Sequence, residues 1–341
     1  MRKIQIGFLK SGWAVLVGLT LAGTVLLLKI RVWPFELFQH FVLHYFLLSG
    51  VLATGFLLVR KRVAASWSVM LLILFTGFLW NVYRVSEITP LYVAASPGDS
   101  QDRSRLLTVI THNVRDTNKQ HQALRAWLRT NPADVVVLQE VPKREVGLYR
   151  NEQVYTHQLE IFDPTLNHPN FPDDKAFVIL SKFPFSEDRL FKPLPGSRPI
   201  VIVRVSVPDA KDPWIVAVDT IDPKTTAGLV NRDRLLLGIA QKLSELPGPV
   251  VVAGDFNATP FTPVFNDFVR LANVAPMHSP VSTYPATLGW LGIPIDHILV
   301  RDVQVKDVEA LSSIGSDHRP LKATLILPRQ IPDKGALDNR S

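Results

Sequence analysis

The sequence predicts an N-terminal membrane region of three helices followed by a single α/β domain. Three observations lead to this prediction. The N-terminal part contains three long runs without a formal charge, β-branched runs and helical patterns alternate after it, and polar side chains cluster where the β-branched runs end. We divide the chain into a membrane region (1–90), a polar linker (91–105), the α/β domain (106–328) and a polar tail expected to be disordered (329–341).

The uncharged runs are long enough for membrane helices, since a bilayer core needs about 20 apolar residues per helix. They hold 18, 23 and 21 residues and lie between Lys10 and Lys29, Glu36 and Arg60, and Arg62 and Arg84. A signal peptide is disfavoured because no small-residue cleavage site is evident and two further apolar runs follow. Buried core helices would carry a polar face, and Val51–Val59 has almost none.

Lysine and arginine positions predict the orientation of these helices. Basic residues precede the first run and fill the connection Arg60–Arg62, whereas fewer follow the first and third runs. By the positive-inside tendency the N-terminus is cytoplasmic, and the α/β domain lies outside the cytoplasm of a multi-pass inner (plasma) membrane protein. His40 and His44, one helical turn apart, could line a polar seam or bind a ligand, and we favour contacts with other helices or with the membrane interface.

The charge distribution argues against general nucleic-acid binding by the α/β domain. The net charge of +7 divides into +6 for residues 1–100, with 9 Lys/Arg against 3 Asp/Glu, and +1 for residues 101–341, with 28 against 27. A local basic patch remains open. The chain has no cysteine, which excludes disulfides, thiolate metal sites and cysteine nucleophiles.

Periodicity places strands and helices along the α/β domain. The predicted strands are Leu106–Val114, Asp134–Glu140, Phe177–Ser181, Ile200–Val207, Trp214–Asp219, Val250–Asp255, Ile295–Val300 and Leu321–Leu327. The predicted helices are Lys119–Arg129, Asn231–Leu246 and one with Thr262 as N-cap and Pro263 at its first position. The segment Asp163–Asp174 is predicted to be a long loop.

One strand end stands out. Val250–Ala253 is apolar without alternation, as in a strand covered on both faces. Gly254 allows the backbone to turn, so Asp255 and Asn257 are expected at the rim of the sheet, where α/β proteins tend to place their chemistry.

Other polar side chains also lie at predicted strand ends. Taken singly, each has an ordinary interpretation as a turn former, a solvated strand end or a half-buried strand residue. Together they comprise only carboxylates, carboxamides and an imidazole, a set that suits a magnesium-like ion and a phosphoryl group. The set is Asn113, Glu140, Asp255, Asn257, Asp296, Asp317 and His318.

The order of these residues resembles the endonuclease/exonuclease/phosphatase (DNase-like) superfamily over about residues 106–328. The segments that carry the resemblance are Asn113, Gln139-Glu140, Val178–Pro184, Asn231–Leu236, Gly254–Pro260, Ile295–Ile298 and Ser316–Pro320. The three predicted N-terminal spans resemble the bacterial membrane-tethered branch. The resemblance implies a four-layer sandwich, two packed β-sheets flanked by helices, and hydrolysis of a phosphoester with Mg²⁺ or Mn²⁺.

The resemblance also implies roles for the site residues. Glu140 would be the principal metal ligand, with Asn113 beside it and Asp317 close enough to help. Asp255 would orient or deprotonate the attacking water, and Asn257 would hydrogen-bond a phosphoryl oxygen. His318, oriented by Asp296, would bind or protonate the phosphate.

Two positions depart from the family pattern. Asp219 stands where a histidine is usual, and an ionised carboxylate repels phosphate and donates it no hydrogen bond. Asp219 either joins the metal site, or another group supplies the proton, or the domain is weakened or inactive. It could also turn away and cap the turn Thr220–Pro223. The second departure is Asp173-Asp174-Lys175, where glycine is usual.

We therefore predict a membrane-anchored metal-dependent phosphoesterase or phosphodiesterase. Its substrate is left open among nucleic acid, phospholipid and small phosphodiesters, with a lean towards lipid-derived substrates because of the membrane region. The alternative is a catalytically silent domain that binds a phosphate-bearing ligand or a partner, which the replacement of the usual histidine by Asp219 motivates.

Overall fold

The computed structural model describes residues 30–59, 82, 83, 86, 106–150, 153–162, 175–192, 200–276 and 281–330. Twelve strands form two six-stranded sheets. The strands are β1 (Leu106–Asn113), β2 (Val135–Pro142), β3 (His157–Phe162), β4 (Lys175–Ser181), β5 (Phe185–Phe191), β6 (Ile200–Val205), β7 (Trp214–Asp219), β8 (Val250–Asp255), β9 (Ala275–Pro276), β10 (Asp296–Arg301), β11 (Gln304–Ala310) and β12 (Leu321–Ile326).

The first sheet has the strand order β11-β12-β1-β2-β4-β3, and the second has β5-β6-β7-β8-β10-β9. Each sheet is mixed, with one parallel pair at its centre: β1 with β2, and β7 with β8. Alternate side chains of the central strands point inward. Val109 therefore joins the core between the sheets, whereas Ile110 packs under the outer layer.

Helices cover the outer faces. The α-helices are α1 (Val42–Val59), α2 (His121–Thr130), α3 (Lys143–Val146), α4 (Thr226–Ser244) and α5 (Pro263–Ala272), and 3₁₀ helices span Phe35–Phe41, Gly147–Tyr149 and Ala286–Leu291. Leu236 of α4 and Phe268 of α5 pack on the second sheet, and Leu124 of α2 packs on the first. The predicted four-layer order of helices, sheet, sheet and helices is observed.

All eight predicted strands form, and four further strands were missed. β3, β5, β9 and β11 lie towards the sheet edges, and β5 and β11 are largely exposed. Helix α4 begins at Thr226, five residues before the predicted Asn231, because Thr225 accepts a hydrogen bond from the Gly228 amide and caps the helix there. Thr262 precedes α5 as predicted, but its hydroxyl bonds the Thr259 carbonyl instead of capping the helix.

The first predicted membrane span and all but residues 82 and 83 of the third lie outside the described residues, as do the loop Asp163–Asp174 and most of the tail. Among the residues that are described, no helix combines the length and the apolar character needed to cross a bilayer. The N-terminal part of the second predicted span is instead a 3₁₀ helix, Phe35–Phe41, which packs against the α/β domain. Its Glu36 is buried, and its carboxylate lies 2.9 Å from the Arg232 guanidinium of α4.

Candidate active site

Three aspartates stand side by side at the ends of three neighbouring strands. Asp255 ends β8, pairs in register with Asp219 at the end of parallel β7, and pairs with Asp296 at the start of antiparallel β10. All three side chains are buried. Adjacent like charges in a sheet are destabilising, so this row needs a compensating positive charge.

Gly254 makes the close approach of β7 and β8 possible. A Cβ atom at position 254 would overlap the Val218 carbonyl oxygen, and the residue has φ +151°. Any other residue at 254 would therefore push the two strands apart. From the sequence, Gly254 is expected to allow the chain to turn. In the structure, its missing side chain allows β7 and β8, and with them Asp219 and Asp255, to lie close together.

His318 supplies the compensating charge. Its Nδ1 lies 2.8 Å from Asp296 Oδ2, and its Nε2 lies 3.8 Å from Asp255 Oδ2. Burial alone would lower the pKa of His318, yet the carboxylates of Asp296 and Asp255 raise this pKa to about 10. The imidazole is thus positively charged between two carboxylates.

The carboxylates respond differently to this arrangement. Burial, and then the charges of Asp296 and Asp219, raise the pKa of Asp255 well above its ordinary value. Burial would also raise the pKa of Asp296, but the charge and hydrogen bond of His318, with a hydrogen bond from Thr283, keep it below the ordinary value. Asp255 is therefore a more basic carboxylate than Asp296.

Asn113 and Asn257 enclose Asp255. Asn113 ends β1, and its Nδ2 donates a 3.1 Å hydrogen bond to Asp255 Oδ2. The backbone amide of Asn257 donates to Asp255 Oδ1 at 2.8 Å, while the Asn257 side chain bonds the Thr220 carbonyl. Asn257 has φ +46°, a left-handed conformation uncommon for a residue with a Cβ.

Ser316 ties two neighbouring strands of the first sheet together at this point. Its hydroxyl donates to the Asn113 carbonyl at 2.7 Å and accepts from the His318 amide at 3.0 Å. It therefore holds the turn before β12 against the end of β1, which brings His318 next to Asn113. The ring of Tyr284 packs on that of His318, with centroids 4.9 Å apart.

Glu140 is paired with a lysine. A bulge in β2 between Leu138 and Val141 and a φ of +57° direct Glu140 out of the strand. Lys175 Nζ lies 2.8 Å from Glu140 Oε2 and 3.1 Å from Asp116 Oδ2. Asp317, expected near Glu140, has its carboxylate 3.5 Å from the Arg115 guanidinium.

These residues face one cavity of about 600 Å³. Six of the eight site residues predicted from the sequence line its wall: Asn113, Glu140, Asp255, Asn257, Asp317 and His318. Asp296 does not line the cavity but supports His318 through its Nδ1. Asp219 stands next to Asp255 by strand register. Sequence reasoning missed other lining residues, among them Leu37, Phe41, Asp116, Lys224 and Tyr284. His40, considered from the sequence as a possible ligand-binding residue, also lines the cavity.

Two groups at the cavity could hold a cation. The buried group is Asp255, Asp296 and His318, whose ligand atoms all lie within 4.8 Å of one another, and His318 would serve as a ligand only after losing its proton. Asp296 Oδ1 is buried without a hydrogen-bond partner. The other group is Glu140 with Asp116. The Lys175 ammonium lies between these two carboxylates, where their negative charges favour a cation. Carboxylate oxygens in both groups suit Mg²⁺ or Mn²⁺.

Two packed mixed sheets with a buried carboxylate–histidine cluster at one rim define the DNase-like fold. The chain belongs to the Endonuclease/Exonuclease/phosphatase family, whose sequence profile matches residues 79–318. This confirms the family resemblance, while the membrane-tethered branch stays a prediction.

Several proteins named UPF0294 are similar in sequence. One from Klebsiella pneumoniae is 25% identical over 241 residues, which is 69% of this chain and 86% of that protein. One from Vibrio cholerae is 29% identical over 121 residues, which is 36% of this chain and 42% of that protein. The chain thus spans less than half the length of the Vibrio relative it matches.

Solved structures share the fold at low identity. An endonuclease/exonuclease/phosphatase from Beutenbergia cavernae superposes with a TM-score of 0.55 at 20% identity, covering 66% of this chain and 72% of that one. D. rerio TDP2 in complex with a single-strand DNA product gives 0.53 at 18%, covering 64% and 98%. A mannosyl-6-phosphatase from Bacteroides thetaiotaomicron gives 0.52 at 17%, covering 65% and 100%.

Proposed function

We propose that this protein is a membrane-anchored, divalent-metal-dependent phosphoester hydrolase. The observation that carries the proposal is the charged trio of Asp255, His318 and Asp296 at the wall of a cavity large enough for a small phosphoester. Of the structural neighbours, D. rerio TDP2 is in complex with a single-strand DNA product, and the Bacteroides thetaiotaomicron protein is a mannosyl-6-phosphatase. DNA and a sugar phosphate are both phosphoesters.

Each residue of the trio has a distinct proposed role. Asp255 accepts a proton from the attacking water, and Asn113 restrains the Asp255 carboxylate through its hydrogen bond. His318 donates a hydrogen bond to a phosphoryl oxygen from Nε2, while Asp296 holds its Nδ1. Asn257 interacts with a second phosphoryl oxygen after releasing Thr220.

A bound Mg²⁺ or Mn²⁺ would neutralise charge on the phosphate. We propose Glu140 as its principal ligand, with Asn113 beside it and Asp317 in support. This requires the Lys175 ammonium to leave Glu140, because the lysine occupies the same side of that carboxylate. The buried trio is the competing location for the ion.

The substrate class stays broad at this level: nucleic acid, phospholipid or a small phosphodiester. The net charge of +1 over residues 101–341 disfavours a protein that tracks along nucleic acid. The predicted membrane region favours a lipid-derived substrate.

A second candidate function is a catalytically silent domain that binds a phosphate-bearing ligand or partner. The buried carboxylate of Asp219 favours it, because Asp219 adds a negative charge directly beside Asp255. Hydrolysis of a phosphoester distinguishes the enzyme from the silent binding domain.

The test is hydrolysis of bis-p-nitrophenyl phosphate by the purified full chain, with and without Mg²⁺ or Mn²⁺. Asp255→Asn should retain metal binding and lose about 10²–10⁴ in rate, the usual effect of losing a positioned base. Glu140→Gln should weaken metal binding measured by calorimetry. If Asp296→Asn is the only variant that loses metal binding, the ion binds at the buried trio instead. If no phosphoester of any class is hydrolysed with Mg²⁺ or Mn²⁺, the catalytically silent domain is the remaining function.

Membrane anchoring has its own test. We propose three spans with the α/β domain outside the cytoplasm. An alkaline phosphatase fusion after residue 100 should be active, because that reporter requires export, and a reporter that works only in the cytoplasm should be inactive at the same junction. The reverse pattern would overturn the orientation.

A further inference from the structure

The N-terminal segment 30–45 is held on the α/β domain by specific contacts. Glu36 is 1% exposed, and it lies 2.9 Å from Arg232, whose side chain is fully buried. His40 Nε2 also approaches the Glu36 carboxylate, at 3.5 Å. Breaking such a buried pair leaves an uncompensated charge, so the segment is firmly anchored at this point.

Contacts on either side of Glu36 extend this anchoring. Arg31 forms a 2.6 Å ion pair with Asp267 of α5, and Val42 is fully buried against Phe261. His44 Nε2 lies 2.6 Å from the Leu291 carbonyl oxygen. The segment therefore contacts the domain at both ends and in its middle.

The anchoring also reaches the candidate active site. The Arg232 Nη1 group donates a 2.9 Å hydrogen bond to the carbonyl of Asn257, the residue whose amide binds Asp255. Glu36 is thus separated from Asp255 by Arg232 and Asn257 alone. The segment and the site are parts of one packed unit.

Leu37, His40 and Phe41 of this segment line the cavity that contains Asp255 and His318. Further apolar lining comes from Ile221 and Ile293. Phe41 remains 40% exposed, although a large apolar side chain beside a cavity gains from being covered. The cavity therefore combines a charged part of its wall with an apolar part.

We propose that the 3₁₀ helix Phe35–Phe41 forms a substrate subsite for the organic ester group of the phosphoester, and that this group is apolar. The inference rests on the proposed function, because the phosphate end of the ligand is assigned to Asp255 and His318. It adds the chemical class of the group attached to that phosphate: an alkyl or aryl chain that extends from the charged residues to Leu37 and Phe41.

Binding of short alkyl phosphates tests the subsite without turnover. The full chain, purified in one detergent, is titrated calorimetrically with methyl, propyl and pentyl phosphate, all short enough to stay dissolved. A buried CH₂ group contributes roughly a fourfold gain in affinity, so affinity should rise at least tenfold from methyl to pentyl phosphate. Phe41→Ala and Leu37→Ala should flatten this dependence on chain length.

Phe38→Ala is the matched control, since Phe38 lies on the same 3₁₀ helix, is 41% exposed and is not part of the cavity wall. It should keep the chain-length dependence of the unmodified protein. Equal affinities for the three phosphates, or a dependence that Phe38→Ala and Phe41→Ala reduce alike, would overturn the subsite. Chain-length-dependent binding without hydrolysis of any phosphomonoester or phosphodiester would retain the subsite and refute the hydrolase instead.

Discussion

The Lys175 ammonium lies between the carboxylates of Glu140 and Asp116, 2.8 Å from the first and 3.1 Å from the second. All three side chains are largely shielded from solvent. A tethered positive charge therefore occupies the place where the family resemblance implies a metal ion. We therefore expect this lysine to compete with a divalent cation for Glu140.

Lys175→Met should raise the affinity for Mn²⁺ by about tenfold or more, because a hydrogen bond between charged groups contributes about 1.5–3 kcal/mol. The measurement is Mn²⁺ binding by electron paramagnetic resonance or calorimetry. Lys182→Met is the control, since Lys182 follows the same strand and pairs with Asp134 instead. Equal affinities in all three proteins would show that Lys175 does not compete for the site.

Gly254→Ala should destabilise the domain strongly, because the new methyl group would meet the Val218 carbonyl and force β7 away from β8. We expect a loss of about 3 kcal/mol or more, seen as a lower thermal midpoint. Gly248→Ala is the comparison: Gly248 also has positive φ, at +77°, but a Cβ atom there would have no neighbour within 4 Å. It should lose only about 1 kcal/mol. Similar losses in both variants would contradict the steric argument.

Asp219→His should keep or raise phosphodiesterase activity, since it removes a negative charge beside Asp255 and adds a hydrogen-bond donor. Asp219→Asn separates the two effects, because it removes the charge without adding an imidazole. If Asp219 only caps its turn, neither change should alter kcat or KM. If the unmodified protein and Asp219→His are both inert towards every phosphoester class at saturating Mg²⁺ or Mn²⁺, the enzyme proposal fails.

Two buried histidines, His112 and His297, should each contribute less to the stability of the domain as the medium becomes acidic. Burial, together with the charge of His318, lowers the pKa of His112 to about 3, and burial lowers the pKa of His297 to about 4. Both imidazoles are neutral in the folded state, but in the unfolded chain they gain protons below about pH 6.5. The contribution of these two neutral histidines to the free energy of unfolding is complete above about pH 6.5. It is lost as the pH falls towards their folded-state pKa values.

This pH dependence can be measured by urea unfolding between about pH 5 and 7. Each histidine should reduce the free energy of unfolding by up to about 1.4 kcal/mol per pH unit. His112→Gln should make the slope shallower by about that amount, whereas His157→Gln, at a half-buried edge-strand position, serves as the control. A slope unchanged by His112→Gln would contradict the assignment of a neutral buried imidazole.

The sequence alone determined the central strands and the residues that meet at their ends. Uninterrupted apolar runs such as Val250–Ala253 are covered on both faces in the structure, as predicted. The edge strands β5 and β11 were missed because a strand with an exposed face and an unpaired edge tolerates charges, which conceal its alternation. The predicted polar residues lie at strand ends, and side chains at the ends of adjacent strands are close in space whatever conformation the connecting loops adopt.

Only the tertiary structure decided the partners of these residues. The pair of Lys175 with Glu140 joins positions 35 residues apart, and the pair of Glu36 with Arg232 joins positions 196 residues apart. Local periodicity contains no information about such contacts, because they depend on how strands and helices pack. The uncharged run after Glu36 indicated a membrane helix, yet its first turns form a wall of the cavity, since apolar side chains can be buried by protein as well as by lipid.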